Sequence, residues 1–445
     1  MPVRSAMAKG SSKPVTGGNG AAAAKVWTPA DAIPAGFPKP DAPRMGLLPP
    51  YLLGRINLFN DQLRARGVDV IDLGMGNPVD APDPQVCETM RESLAETKHH
   101  RYSQAKGIKP LKEAFSKHYA RHFGVELDAD KEVIATIGSK EAFSHLCLAM
   151  LGPQDAVLVP TPAFTIHMYS PMIAGAHPIG VFIEEERPGA QLLKSIKLLL
   201  ETVRPRPKLL ILNFPHNPTA KTVDLAFYEE AVALCKRYKV WVLNDFAYGH
   251  NCFDGYKAPS ILQVKGAKDI AVETFTMSKP YNMAGWRVGF LAGNSALVDC
   301  LGRIKGYFDY GIFECIQLAA RTALDKSDAL IKKQALTYAA RRNALLAGLE
   351  GAGWGKTVKN RATMFTWQAM PAAFRHMSSV DFCFKLAEET GVSFTPGGGF
   401  GEEGEGFLRM ALVDTEPRIA EACARIKKFL ANGSGSKTRK GAHGR

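Results

Sequence analysis

The stretch Thr276–Gly289, which reads TMSKPYNMAGWRVG, decides the fold class of this chain. It carries Lys279 shortly after the mostly apolar run 270–275, which reads as a buried strand. Most lysine side chains are solvated surface charges, so a lysine delivered by a buried strand needs a specific explanation. One explanation is Schiff-base chemistry, because a desolvated amine loses its proton more readily and becomes a nucleophile toward an aldehyde.

Strand-like and helix-like segments alternate around this stretch. This alternation predicts an α/β domain with a mainly parallel sheet over residues 76–325. Long helices with few strands predict a smaller α+β domain from residues 326–432, joined by the N-terminal segment 45–75. The predicted strands are 70–73, 132–137, 156–159, 208–212, 240–243 and 270–275, and the predicted helices are 107–123, 141–150 and 224–238, the last with Asp224 as its N-cap.

Composition and charge exclude several classes of protein. The 445 residues are 46% hydrophobic and 22% charged, which is ordinary for a globular protein, and no apolar run approaches the ~18 residues of a membrane helix. The net charge is +13, but residues 1–30 and 432–445 each carry four basic residues and no acid. The body therefore holds little excess charge and no basic stripe, so we expect no specific nucleic-acid binding. We expect the basic segments 1–44 and 433–445 to be disordered.

The cysteines indicate a reducing compartment. None of the eight forms a CxxC pair, and no histidine and cysteine cluster has the spacing of a zinc site. We therefore expect free thiols, a cytoplasmic location and no metal. The N-terminus has no continuous apolar core of a secretory signal, whereas an organelle transit peptide remains an open alternative because the segment is basic and acid-poor.

Three polar clusters follow predicted strands. They are Gly138-Ser139-Lys140, residues 213–219 with Asp245, and residues 276–279. Ligands of open α/β sheets gather outside the carboxyl ends of the strands. Each cluster alone is compatible with a turn, but together with Lys279 they indicate a phosphorylated, aromatic and electrophilic ligand.

Three motifs carry a resemblance to a known family. Residues Asn213–Thr219 read NFPHNPT, Asn244–Tyr248 read NDFAY, and Ser278–Gly289 read SKPYNMAGWRVG. On these motifs, residues 45–432 resemble the pyridoxal-phosphate aminotransferases of fold type I (class I/II). The stretches 254–261 and 303–311 look most like those of bacterial alanine (glutamate–pyruvate) transaminases. The resemblance implies a large domain with a mainly parallel, seven-stranded sheet and a smaller α+β domain.

It also implies an activity. Pyridoxal 5′-phosphate would move an amino group between an L-amino acid, alanine or glutamate, and a 2-oxo acid, pyruvate or 2-oxoglutarate, in a ping-pong reaction. Lys279 resembles the Schiff-base lysine that also shuttles a proton. Asp245 resembles the carboxylate that keeps the pyridine nitrogen protonated. Asn217 and Tyr248 resemble the donors to the phenolic oxygen.

The remaining site residues are also assigned by resemblance. The phosphate is expected on backbone groups at a helix N-terminus and on side-chain donors, namely Ser139, Lys140, Thr276, Ser278 and Arg287. Tyr102 matches a tyrosine that reaches the phosphate of the neighbouring subunit, which implies a homodimer with shared sites. Arg409 matches the clamp on the substrate carboxylate, with Gly76 and Asn217 as further substrate contacts.

Two residues depart from the family pattern. Phe164 stands where the family often has a tyrosine that stacks on the cofactor ring, and Ala220 replaces the usual glycine after Asn-Pro-Thr. Neither change removes a chemical group that the reaction needs, but the first leaves the substrate preference less defined.

Other functions stay open. The same cofactor supports a lyase acting on sulfur amino acids, or transamination of another amino acid such as diaminopimelate, aspartate or methionine. An aminotransferase-like effector domain of a transcription regulator is the non-enzymatic alternative. It is disfavoured because the segment ahead of the fold is too short and too polar to form a DNA-binding domain.

Overall fold

The structure is a computed structural model of the 445-residue chain, and it describes residues 33–434 except 35 and 185–187. Contacts divide the chain into two compact units, Met1–Gly46 and Leu47–Arg445. Most of the two segments predicted to be disordered lies outside the described residues. The last helix extends to Ser434, just past the predicted boundary of the C-terminal segment. The division of residues 45–432 into a large and a small domain stays a prediction.

The second unit alternates helices and strands. The helices are α1 (Leu52–Ala65), α2 (Pro84–Ser93), α3 (Lys109–Phe123), α4 (Ser139–Met150), α5 (Thr165–Ile173), α6 (Ala190–Thr202), α7 (Leu225–Tyr238), α8 (Ser295–Phe308), α9 (Glu314–Lys326), α10 (Asp328–Gly351), α11 (Ser379–Thr390) and α12 (Glu416–Ser434). The strands are β1 (Ile71–Asp72), β2 (Val133–Thr136), β3 (Ala156–Thr161), β4 (His177–Phe182), β5 (Leu209–Leu212), β6 (Trp241–Asp245), β7 (Ala271–Thr276), β8 (Gly289–Gly293), β9 (Phe365–Ala369), β10 (Val392–Ser393), β11 (Thr395–Pro396) and β12 (Phe407–Ala411).

A seven-stranded sheet organises the first half of this unit. Its order is β2-β8-β7-β6-β5-β3-β4, and the neighbours from β7 to β4 pair in parallel. Strand β8 is antiparallel to both of its neighbours, β2 and β7. The predicted α/β class with a mainly parallel sheet is confirmed. Strands β4 and β8 were not among the strands predicted from the sequence.

Both faces of this sheet are covered. Leu210 and Leu212 of β5 belong to one apolar core, whereas Leu209 and Ile211 of the same strand belong to the core on the other face. All four residues are fully buried, which explains why the strand is continuously apolar rather than alternating. Helix α7 packs nearby, and the Asp224 carboxylate accepts a hydrogen bond from the Phe227 amide, as its predicted N-cap role requires.

Two smaller sheets follow from the remaining strands. Strands β11, β12 and β9 form an antiparallel sheet, and β1 pairs in parallel with β10. A third apolar core joins Ile71 and Leu73 to helices α10, α11 and α12. The pairing of β1 with β10 places the segment around residue 72 next to β12, which carries Arg409. None of the described helices has an apolar stretch long enough to cross a membrane.

Candidate active site

The carboxyl ends of four sheet strands meet at one edge and present the predicted polar residues there. Strand β6 ends at Asp245, β5 leads into residues 213–219, and β7 leads into Lys279. Strand β2 leads into Gly138, from which α4 begins. The sheet order places these four strands within one contiguous block, so residues far apart in sequence become neighbours.

The N-terminus of α4 faces a guanidinium group. Gly138 caps the helix with φ +75°, and a Cβ on it would lie 2.3 Å from an Arg287 Nη atom. Arg287 itself adopts the left-handed region, φ +57°, and donates from Nη1 to the Ala284 carbonyl oxygen at 2.9 Å. The Thr276 and Ser278 hydroxyls are hydrogen-bonded to each other at 2.9 Å. Free first-turn amides, a guanidinium and hydroxyls are the donors that hold a phosphate.

Lys279 is partly buried and lies near two positive charges. Its Nζ donates to the Gly76 carbonyl oxygen at 2.6 Å. Burial, then the charges of Arg409 and Arg287, lower the pKa of this amine to about 7. No carboxylate lies within ion-pair distance of it in the described part of the chain. An amine with this pKa is about half unprotonated, and so available as a nucleophile, near pH 7.

Asp245 is held from two sides. The Nε2 atom of His167 lies 2.9 Å from its Oδ2, and Thr274 Oγ1 donates to its Oδ1 at 3.0 Å. The Asn213 amide group donates to the Asp245 carbonyl oxygen at 2.7 Å, which fixes the backbone at the strand end. The carboxylate is therefore oriented at the edge of the sheet by residues of three segments.

Arg409 is a fully buried cation of the site. Its Nη1 donates to Asn217 Oδ1 at 2.9 Å and its Nη2 to the Gly74 carbonyl oxygen at 3.2 Å. The guanidinium lies 4.0 Å from the ring centroid of Phe365 and 4.8 Å from that of Phe400. Its Nε has no partner among the described residues, and burial lowers its pKa to about 10. All its hydrogen-bond partners are neutral, so a carboxylate ligand would complete it.

The other predicted residues divide into near and distant groups. Tyr248 is buried, and burial raises the pKa of its phenol while the nearby Arg409 opposes that rise. Phe164 is the N-cap residue of α5 and packs edge-on against the His167 ring. The side chain of Lys140 points away from the helix start, with its ammonium 5.9 Å from the Tyr51 ring. Tyr102 is 84% exposed and contacts the Tyr310 ring, so it joins none of the other candidate residues of its own chain.

Sequence reasoning missed several residues of this site. His167 and Thr274 orient Asp245, and Phe365 and Phe400 enclose the Arg409 guanidinium. The sequence gave no signal for His167, because α5 was not among the predicted helices. Phe365 and Phe400 had none, since only the small antiparallel sheet and its loops bring them to Arg409.

Comparison with known proteins identifies the family. The family model "Aminotransferase class I and II" matches residues 68–426. The chain belongs to the class I and II aminotransferases. It is 43% identical over 391 residues to the glutamate-pyruvate aminotransferase AlaC of Escherichia coli (strain K12), covering 88% of this chain and 94% of AlaC. It is 40% identical over 387 residues to an LL-diaminopimelate aminotransferase of Gloeobacter violaceus, covering 87% of this chain and 97% of that one.

A solved structure gives the same picture at the level of the fold. The substrate-bound BacF structure from Bacillus subtilis superposes with a TM-score of 0.82 at 28% identity, covering 88% of this chain and 98% of that one. The predicted fold type I is therefore confirmed for this aminotransferase. Its assignment as a transaminase is confirmed as well, while the two curated relatives name different amino acids.

Pyridoxal 5′-phosphate is the cofactor of this family and of this aminotransferase. The side chains at the sheet edge fit it by their chemistry. A buried amine with a lowered pKa suits its aldehyde, the α4 N-terminus beside Arg287 suits its phosphate, and the oriented Asp245 carboxylate suits its ring nitrogen.

Proposed function

We propose that this aminotransferase exchanges amino groups between L-alanine and 2-oxoglutarate, with glutamate and pyruvate as the products. The observation that carries transfer between amino and 2-oxo acids is Arg409, a buried guanidinium with only neutral partners beside a buried amine. Both substrates carry a carboxylate next to the reacting carbon. A carboxylate is the partner that Arg409 lacks among the described residues. The preference for alanine follows from the 43% identity to AlaC.

The chain's own residues divide the work of holding the cofactor. Lys279 would bond to its aldehyde carbon, and Asp245 would hold a proton on the pyridine nitrogen. Asn217 and Tyr248 would contact the phenolic oxygen, while Phe164 would lie against the ring. The phosphate would be held by the backbone of Ser139 and Lys140 and by the side chains of Thr276, Ser278 and Arg287.

When bound, pyridoxal phosphate supplies an aldehyde that accepts an amino group and a ring that accepts the electron pair released at the substrate Cα. Arg409, with Gly76 and Asn217 beside it, would fix the substrate carboxylate and so the direction of the Cα–H bond. The Lys279 amine, whose pKa is lowered to about 7, would in its neutral form accept that proton and return it to the neighbouring carbon. Arg409 disfavours decarboxylation, because it holds in place the group that decarboxylation releases.

We also propose a homodimer in the cytoplasm. Tyr102 is 84% exposed and forms an aromatic surface with Tyr310, which is 66% exposed and whose ring centroid lies 4.5 Å away. A second copy covering this surface would let Tyr102 reach the partner's phosphate site. All eight cysteines are free, which suits a reducing compartment. Light scattering of the purified protein tests the dimer, and a monomer at micromolar concentration would contradict it.

A donor comparison tests the substrate. The ratio kcat/KM would be measured for L-alanine, LL-diaminopimelate, L-aspartate and L-methionine with 2-oxoglutarate as acceptor, and Lys279→Ala would serve as the blank. We expect L-alanine to exceed each of the others by at least about tenfold, a factor that corresponds to roughly 1.4 kcal/mol of transition-state binding. The second candidate is LL-diaminopimelate, favoured by the 40% identical relative. A higher kcat/KM for that donor would replace alanine with it.

A further inference from the structure

Three histidines and an aspartate meet away from the candidate active site. His118 and His122 lie four residues apart on α3, so they share one face of that helix, and their ring centroids are 4.3 Å apart. His250 comes from the loop after β6, with its ring 4.9 Å from that of His118. Asp328 is the first residue of α10. Sequence spacing gave no signal for this group, because its members come from three distant segments.

The potential ligand atoms already lie close together. The Nε2 atoms of His118 and His250 are 2.8 Å apart, and His122 Nε2 is 3.0 Å from Asp328 Oδ1. One ligand atom each of His118, His122 and Asp328 lies within 4.8 Å of the others. Donor atoms on a tetrahedral zinc ion are roughly 3.4 Å apart, given metal–ligand distances of about 2.1 Å. The separations among His118, His122 and Asp328 are compatible with that value, whereas His250, which is close to His118 alone, would have to rotate to become the fourth ligand.

We propose that His118, His122, His250 and Asp328 bind a divalent transition-metal ion of the Zn²⁺ type. Three imidazoles and one carboxylate are a ligand set that suits such ions and not Mg²⁺ or Ca²⁺, which take oxygen ligands. The side chains of His122 and Asp328 are 22% and 38% exposed and give the ion a path from solvent, whereas His118 is fully buried.

Groups around the cluster would orient the ligands. Arg121 donates from Nε to Asp328 Oδ2 at 2.9 Å and from Nη2 to Oδ1 at 3.2 Å, which fixes the carboxylate while leaving Oδ1 shared with His122. The Tyr281 hydroxyl lies 3.3 Å from His118 Nδ1. With metal on Nε2, Nδ1 would carry the proton and donate to that hydroxyl, the arrangement that commonly orients a metal-bound histidine.

A second cluster in the same chain shows what a blocked site looks like. Glu141, His145 and Asp309 also have ligand atoms within 4.8 Å of one another. The Lys305 ammonium, however, donates to Glu141 at 3.1 Å and to Asp309 at 2.8 Å, and it supplies the positive charge that those carboxylates need. Asp328 is likewise paired with Arg121, but in the described residues no lysine or arginine is hydrogen-bonded to the three histidine rings, which remain as metal ligands. We therefore assign the metal to the histidine cluster alone.

The metal would tie the active-site loops to the scaffold. Tyr281 lies two residues after Lys279, and His250 lies two residues after Tyr248. An ion bound to His118, His250 and Asp328 would link α3, the loop after β6 and the start of α10. We expect metal binding to stabilise the folded enzyme, because an ion that binds only the folded state shifts unfolding by mass action.

The experiment uses the untagged, full-length, cofactor-loaded enzyme. Protein stripped with a chelator would be titrated with Zn²⁺, and with Co²⁺ as a spectroscopic probe, and bound metal would be counted by mass spectrometry after dialysis. We expect one ion per chain and a rise in Tm. His122→Ala and Asp328→Asn should each weaken binding at least tenfold, whereas His376→Ala, at an exposed position outside the cluster, should leave it unchanged. Circular dichroism checks that each variant folds.

Two results would overturn the site. Wild-type enzyme that retains no ion at micromolar Zn²⁺ would do so, as would a folded His122→Ala or Asp328→Asn variant that binds as tightly as wild type. Because Asp328→Asn keeps the size of the side chain, it still gives an answer if His122→Ala fails to fold. The donor comparison for transamination is a separate measurement, so failure of either proposal is distinguishable from failure of the other.

Discussion

Two pairs of buried cations in this enzyme have opposite surroundings. Lys305 and Arg342 are fully buried, and each is paired with carboxylates: Lys305 with Glu141 and Asp309, and Arg342 with Asp254. Arg409 is buried as well and Lys279 is partly buried, but among the described residues their hydrogen bonds go only to carbonyl, amide and hydroxyl oxygens. A buried charge without a counter-ion is costly, so its persistence indicates that a ligand supplies what the fold does not. Satisfied buried cations hold the structure, and unsatisfied ones mark the site.

The largest effect should separate the two lysines. We expect Lys279→Ala to lower kcat for transamination by more than about 10³-fold, because the amine that would bond the cofactor and carry the proton is gone. The purified variant should also lose the yellow colour of the loaded enzyme. Lys305→Met should instead keep kcat within a few-fold at saturating cofactor and lower Tm, since it leaves Glu141 and Asp309 unpaired. A Lys279→Ala enzyme that turns over at the wild-type rate would contradict the expected difference between the two lysines.

The two arginines should differ in the same manner. Arg409→Lys keeps the charge but loses the planar fork that would bind a carboxylate through two hydrogen bonds. We expect KM for the amino donor to rise by about 10²-fold, a loss of roughly 2.7 kcal/mol, with little change in Tm. Steady-state kinetics with L-alanine and thermal unfolding measure both quantities.

Arg342→Lys is the matched control for that change. It weakens the contacts to Asp254 and to the Asn360 carbonyl oxygen, and neither residue is a candidate substrate contact. We expect a lower Tm and an unchanged KM. An equal rise in KM in both variants would mean that Arg409 affects KM by stabilising the fold and not by binding the substrate.

Because Lys279 has no counter-ion, the free energy of unfolding of the cofactor-free enzyme should depend on pH. The pKa of Lys279 is lowered to about 7 from an ordinary value of 10.5, so between these pH values the unfolded chain binds a proton that the folded chain does not. Stability then rises with pH across this window, by up to ~1.4 kcal/mol per pH unit from this group. Urea unfolding of cofactor-free wild type and Lys279→Met from pH 7 to pH 9 isolates it, because the other titrating groups are common to both.

The expected result is a difference in unfolding free energy, wild type minus variant, that increases with pH. A difference that stays flat would place the Lys279 amine in contact with water. Such a result would also weaken the comparison with Lys305, whose charge the fold neutralises at every pH where Glu141 and Asp309 are ionised.

The sequence was sufficient to predict most of the sheet and the polar residues at its edge. Strand β5 is apolar throughout because it is covered on both faces, and that pattern is visible in sequence. Strand β8 was missed because Gly289–Gly293 reads GFLAG, in which two glycines interrupt the apolar pattern. Gly289 is nevertheless required there, since a Cβ would lie 2.4 Å from the Ser139 amide nitrogen. A close approach between two segments produces no hydrophobic periodicity in the sequence, so this strand could not be predicted from its pattern.

The surroundings of the site were less predictable than its charged groups. Lys279 and Asp245 were predicted because each stands in a recognisable motif, and Arg409 was assigned by the family resemblance, although the roles of all three stay predictions. The residues that position them come from elements distant in sequence, and only the fold brings them into contact. His167 shows this limit best, because nothing in residues 161–167 indicates that its ring meets Asp245.

The smallest effect tests that residue. His167 and His145 each contact a carboxylate, Asp245 at 2.9 Å and Glu141 at 2.8 Å. In the first pair the acid would act on the cofactor, and in the second it belongs to the Lys305 network. We expect His167→Ala to lower kcat by about tenfold, because Asp245 keeps its bond from Thr274 but loses half of its orientation.

His145→Ala serves as the control and should leave kcat unchanged. Both variants remove one imidazole from one carboxylate, so a difference in kcat separates positioning of the cofactor from a general loss of packing. The affinity for pyridoxal phosphate adds a readout that lost packing would not move: with Asp245 less well held, it should fall in His167→Ala alone. If both variants lose activity equally and neither cofactor affinity changes, His167 only packs against α5, and the oriented carboxylate at the end of β6 would rest on Thr274 alone.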